Sequence, residues 1–141
     1  MKTKKLIAFI VLAVISVSCS KNTGDIFKLE EKFDLKVGET ATLNNAPLNI
    51  SFKTVLEDSR CPENVICVWE GQAKLEMEIT GYDDSGSTQV FEIIKRVGHE
   101  ELAYFTINDY EIHLLFVDPY PVDDFDTEIE DYSAEFEMKK L

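Results

Sequence analysis

Few side chains in this sequence stand at spacings that could do chemistry. Cys61 and Cys67 lie within Asp58-Ser59-Arg60-Cys61-Pro62-Glu63-Asn64-Val65-Ile66-Cys67-Val68-Trp69, with five residues between them. A redox motif needs C-x-x-C. A structural zinc site needs closer cysteine pairs, or a second ligand pair, and the only histidines are His99 and His113. Outside a reducing compartment the pair reads as a disulfide, which would remove roughly 2 kcal/mol of unfolded-chain entropy. His99 follows Gly98 and His113 sits within an alternating strand pattern, so no nucleophile elbow or triad emerges. Nothing selects an acid/base pair among 27 carboxylates. The sequence therefore predicts a protein that is not an enzyme, with a secreted hydrolase as the remotest alternative.

One acidic run could hold a metal. Asp124, Asp126 and Glu128 are spaced two apart within Val122 to Tyr132, and calcium takes six to eight oxygen ligands. The glycine that an EF-hand turn requires is missing. A solvated loop that blunts a sheet edge accounts for the same residues and is the preferred reading, with a calcium-dependent module as the alternative and no other cofactor expected.

The cysteine loop is the better candidate for recognition. A strand ending near Glu57 runs into it, Pro62 restricts it, and Trp69 is expected to re-enter the next strand with its ring over the disulfide. Arg60, Glu63, Asn64 and Trp69 then form a candidate binding loop, offering a cation, polar groups and an aromatic platform on a rigid scaffold. Arg60 and Asp58 could pair with each other or with loop carbonyls, and a structural role, the loop plugging an open end of the sandwich, is the preferred reading of these residues, with the binding loop beside it.

The elements that must hold this loop are strands. Ala73, Leu75, Met77 and Ile79 alternate with Lys74, Glu76 and Glu78, the period of a strand with one buried face. Similar patterns predict strands over 33–37, 39–43, 48–56, 90–96, 103–107, 110–117 and 134–139. Turn clusters separate them, among them Asn44-Asn45-Ala46-Pro47 and Asp83-Asp84-Ser85-Gly86-Ser87. Helical turns fit 100–104 and 123–132, but no long helix does. About eight short strands give an all-β domain, an antiparallel sandwich or a small barrel.

The N-terminus carries an address. Lys2, Lys4 and Lys5 precede the apolar run Leu6 to Val17, which is shorter than the roughly 20 residues of a membrane-spanning helix. The run ends at Ser16-Val17-Ser18-Cys19. This looks like a bacterial lipoprotein signal, with Ser16 where the commonest lipobox has leucine, and it predicts lipidation at Cys19. The expected organisation is a signal peptide at 1–18, lipidated Cys19 and a tether over 19–32, and the β-domain over 33–141. Lipidation also absorbs the odd cysteine, and two acyl chains would hold the protein on the membrane. Ser20, where many lipoproteins retained at the inner membrane have Asp, favours an outer-membrane location.

Charge narrows the partners further. The chain has 14 basic and 27 acidic residues, a net of -13; without Lys2, Lys4 and Lys5 the balance is 11 against 27, about -16. That sign excludes a phosphate-binding surface and hence nucleic acid, and it points to an unidentified protein or glycan ligand.

The run Asp58-Ser59-Arg60-Cys61-Pro62-x-x-Val65-x-Cys67-Val68-Trp69-x-Gly71-x-Ala73 resembles a motif in a group of small bacterial envelope lipoproteins of unknown activity. The stretch Tyr110-x-Ile112-x-Leu114-x-x-Val117-x-Pro119-Tyr120-Pro121 resembles a segment near the C-terminus of the same group. The resemblance implies a secreted β-rich domain and brings no catalytic residues. The opening Phe33 to Leu43 also looks like the first hairpin of chagasin-type cysteine-protease inhibitors. Their Asn-Pro-Thr-Thr-Gly-Tyr loop is absent, since Asn44-Asn45-Ala46-Pro47-Leu48-Asn49 follows, so inhibition is not expected.

Overall fold

The computed structural model describes residues 24–122 and 127–141. Its nine strands are β1 (Asp25–Phe27), β2 (Lys32–Lys36), β3 (Thr40–Leu43), β4 (Asn49–Asp58), β5 (Ala73–Thr80), β6 (Thr88–Lys95), β7 (Tyr104–Ile107), β8 (Tyr110–Asp118) and β9 (Ser133–Lys140). Five form one sheet in the order β1-β3-β4-β5-β6, and four form a second in the order β2-β9-β8-β7. The two sheets do not close into a barrel among the described residues, so the fold is an all-β sandwich. All eight expected strands are present, with ends within two residues of the expected ones. The expected helical turns are short 3-10 turns, Glu100–Leu102 and Ile129–Asp131.

Period-two patterning explains the core. Ala73, Leu75, Met77 and Ile79 of β5 are all buried, as are Ala134, Phe136 and Met138 of β9, facing them from the other sheet. Two stacked aromatic pairs clamp the lateral edges. Phe27 of β1 lies 4.2 Å from Phe33 of β2, and Phe91 of β6 lies 3.8 Å from Phe105 of β7, each pair joining one sheet to the other.

The first clamp corrects the expected organisation. The tether assigned to 19–32 contains β1, which pairs in parallel with β3, so the sandwich includes Asp25–Phe27 and is not confined to residues from 33 onward. A three-residue strand is too short to show alternation. It is held by the buried Phe27 ring, whose burial contributes about 1.5–3 kcal/mol, and by the Asn44 N–H donating to Phe27 O at 2.8 Å. The signal peptide, Cys19 and the tether as far as residue 23 lie outside the described residues.

Three bulges depart from simple alternation. Two fall in β4, between Phe52 and Thr54 and between Val55 and Glu57, and one in β8, between Leu114 and Phe116. Extra residues of this kind bend a strand and re-aim its side chains. All three lie on the stretches of β4 and β8 that lead to one end of the sandwich, where β4 passes into the cysteine loop.

Candidate functional site

At that end β4 and β5 are joined by residues 59–72, which the sequence pinches into a projection. The Ser59 N–H donates to Gln72 O at 2.8 Å and the Cys61 N–H to Glu70 O at 2.9 Å, so the strand pair continues briefly past Asp58. Gly71 makes this possible. Its φ is +69°, and a Cβ there would stand 1.7 Å from Ser59 O, so only glycine fits. Beyond the pinch, Cys61 and Cys67 form the expected disulfide, with Cα atoms 5.9 Å apart. The loop leans on the chain after β8: the Glu63 N–H donates to Pro121 O at 3.1 Å, and Asn64 Nδ2 to Val122 O at 2.9 Å.

Arg60 corrects the expected binding surface. It is 8% exposed and points inward, where its fork grips Asp58 through Nε–Oδ1 at 2.8 Å and Nη2–Oδ2 at 2.7 Å. Nη1 donates to Val117 O at 2.6 Å and Nη2 to Pro119 O at 2.7 Å, with the Tyr120 ring 4.9 Å from the guanidinium. The Tyr132 hydroxyl donates to the same Asp58 carboxylate at 2.9 Å. Asp58 ends a strand of one sheet, while Val117 and Tyr132 belong to the chain of the other, so this clasp seals the gap between sheets. A planar donor fork reaches four acceptors where an ammonium could not. Burial, with the Asp58 bond second, raises the Tyr132 phenol above its ordinary pKa. Beside the clasp, the Ser59 hydroxyl and the Gln72 amide lower the Glu57 carboxyl.

What remains outside is largely apolar. Ile66 and Val68 are fully exposed at the tip, and Val65 and Trp69 about half exposed. Trp69 does not begin the next strand, since β5 starts at Ala73; its ring faces Arg96, whose guanidinium carbon lies 5.6 Å from the centroid. Glu63 and Asn64 are exposed on the loop as expected.

Next to the projection lies a cleft of about 130 Å³, walled by Val97, Phe116, Val117 and Tyr120, with Arg60, Glu70 and Lys95 also in its lining. The β8 bulge is what turns Phe116 outward, leaving it 47% exposed between the buried Leu114 and Val117. Lys95 donates to Glu100 at 3.0 Å. On the other side of the clasp a shallower, open groove of about 200 Å³ is lined by Val55, Leu56, Glu57, Asp58, Thr127, Ile129 and Tyr132.

Sequence reasoning brought Arg60, Glu63, Asn64 and Trp69 together but missed Ile66, Val68, Val97 and Phe116. The two aliphatics between and beside the cysteines were readable as apolar residues in a loop. Phe116 carried no such signal, because its outward turn depends on the bulge.

The metal reading gains little here. Asp124 and Asp126 lie outside the described residues, and Glu128 is exposed ahead of the second 3-10 turn. Among the described residues no group of three His, Cys, Asp or Glu side chains could hold a metal ion. Each imidazole meets a carboxylate two residues away, His99 with Glu101 at 2.8 Å and His113 with Glu111. His99 holds the Glu101 carboxyl below its usual value. Compared with known proteins, the chain matches no protein-family model, none of the curated proteins and none of the solved structures.

Proposed function

We propose that this chain is a lipid-anchored protein of the bacterial envelope, seated in the outer membrane through acyl chains on Cys19, and that its sandwich holds out the Cys61–Cys67 loop to bind a partner protein without catalysing a reaction. One observation carries the reading. Two aliphatic side chains, Ile66 within the disulfide-closed loop and Val68 just past it, stand fully in solvent beside a cleft of about 130 Å³. Exposed aliphatics that serve packing alone would be turned inward, and a contiguous apolar patch on a soluble surface marks an interaction site. Cleft size favours a protein over a small molecule. Drug-sized sites run to about 300–1,000 Å³, whereas a cavity of about 150 Å³ holds a single benzene-sized group, the size of one partner side chain.

The test places a photo-crosslinking amino acid at Asn64, on the exposed rim of the loop, in the protein as the cell makes it. Crosslinking to one discrete protein, lost in the Ile66→Ser/Trp69→Ala chain, is the expected result. Crosslinking unchanged by those substitutions sinks the loop assignment, and turnover in a broad hydrolase screen sinks the non-enzymatic one. Metabolic labelling with a palmitate analogue tests the anchor: label should appear in the protein and vanish in Cys19→Ser.

A further inference from the structure

The surroundings of the cleft specify what it takes. Its walls are apolar and its volume is that of one leucine or phenylalanine side chain. Glu70, an exposed residue, is the carboxylate in its lining. The two cations in the lining are each paired with a carboxylate, Lys95 with Glu100 and Arg60 with Asp58. A net charge of -13 over the whole chain adds a long-range negative field.

Two other occupants fit less well. A second copy would bring another chain of net charge -13 against this one, and like charges juxtaposed across an interface are costly. A bilayer could receive Ile66, Val68 and Trp69, but it would leave the cleft unfilled, and anionic headgroups would repel a chain of this net charge. We therefore propose that the cleft receives a single large apolar side chain from a partner segment flanked by lysine or arginine, with the Ile66–Trp69 tip packing alongside. This rests on the loop being a protein-binding surface. The geometry is that of a hot spot, in which one anchor fills a desolvated pocket and its neighbours exclude water. Basic flanks supply the electrostatic complement and steer the encounter.

The experiment is a selection of displayed random peptides against the protein purified in detergent in the form the cell makes, run in parallel on Val97→Asp and on Ile66→Ser/Trp69→Ala. Val97, Ile66 and Trp69 are exposed, so the variants should keep their melting behaviour, which is measured first. The expected winners carry Leu, Ile, Met or Phe with Lys or Arg close by, and a labelled winner binds Val97→Asp about tenfold more weakly, consistent with losing part of one anchor contact. Its affinity should fall as salt rises.

Winners without basic residues, or with equal affinity for Val97→Asp, overturn the cleft proposal. If their binding still depends on Ile66 and Trp69, the loop reading stands without it. An absence of enrichment, or flotation of the protein with phosphatidylcholine vesicles that Ile66→Ser abolishes, overturns both. A concentration-dependent dimer lost in Val97→Asp places a second copy in the cleft and overturns the basic partner.

Discussion

Arg60 shows how one side chain can be read correctly in chemistry and wrongly in direction. A lone arginine in a loop reads as a contact residue, and its pairing with Asp58 was foreseeable from their separation in the chain. That it also grips Val117 and Pro119 was not, because those carbonyls lie at and just past the end of β8, 57 and 59 positions away. Since removing one partner strands the other charge in the interior, Arg60→Ala should lose about 3–5 kcal/mol in urea unfolding. Ile66→Ser, at a fully exposed position, should change stability by less than about 0.5 kcal/mol, and the two melts together separate clasp from tip. Tyr132 adds a pH signature. Its folded pKa is raised, so the folded state holds the phenolic proton more tightly than the unfolded state does. That stabilisation is complete below the unfolded value near 10 and is lost as pH rises through the higher folded value. Wild type should therefore lose stability on the alkaline side of about pH 10 more steeply than Tyr132→Phe, as melts across pH 9 to 12 will show.

At the level of elements, the projection between β4 and β5 has three fasteners, the disulfide, the backbone pinch and the Arg60 clasp. Replacing Cys61 and Cys67 by serine should cost roughly 2 kcal/mol, the chain-entropy value for so short a loop, yet leave the domain folded. The Ser59–Gln72 and Cys61–Glu70 backbone bonds and the Arg60 clasp do not depend on the disulfide. Gly71→Ala should be worse than the double serine variant. It opposes both φ of +69° and the Ser59 carbonyl at 1.7 Å, so the pinch itself must open. Thermal unfolding of the two variants ranks them. Strands with unbroken alternation, β5 and β9, were legible in the sequence because each side chain's face follows from its position alone. The half of β4 next to the loop was legible as strand but not by face, since its two bulges interrupt the period. The exposure of Phe116 was hidden for the same reason.

For the whole molecule, β1 carries the domain back beyond residue 33. A chain beginning at residue 33 lacks the Phe27 ring and leaves Phe33 without its 4.2 Å stacking partner and β3 without its parallel neighbour. Phe27→Ala in the full chain should cost about 3–5 kcal/mol, the range for emptying a buried aromatic site, and a truncation to residue 33 at least as much, both read by urea titration. Net charge acts at this scale too. An acidic body of this size associates fastest with a basic partner at low ionic strength, so the rate of partner binding should fall steeply with added salt while the dissociation rate changes little.

Composition, alternation and cysteine arithmetic were enough to specify an acidic all-β domain, the Cys61–Cys67 pairing and the loop worth watching. These depend on quantities local to the chain: the period of apolar residues, the spacing of two thiols, the sum of charges. The parallel pairing of β1, the inward turn of Arg60 and the cleft between Val97 and Phe116 depend on which distant strands become neighbours and on where bulges shift their register. Such pairings are settled when two sheets bury one another, and no local pattern encodes them.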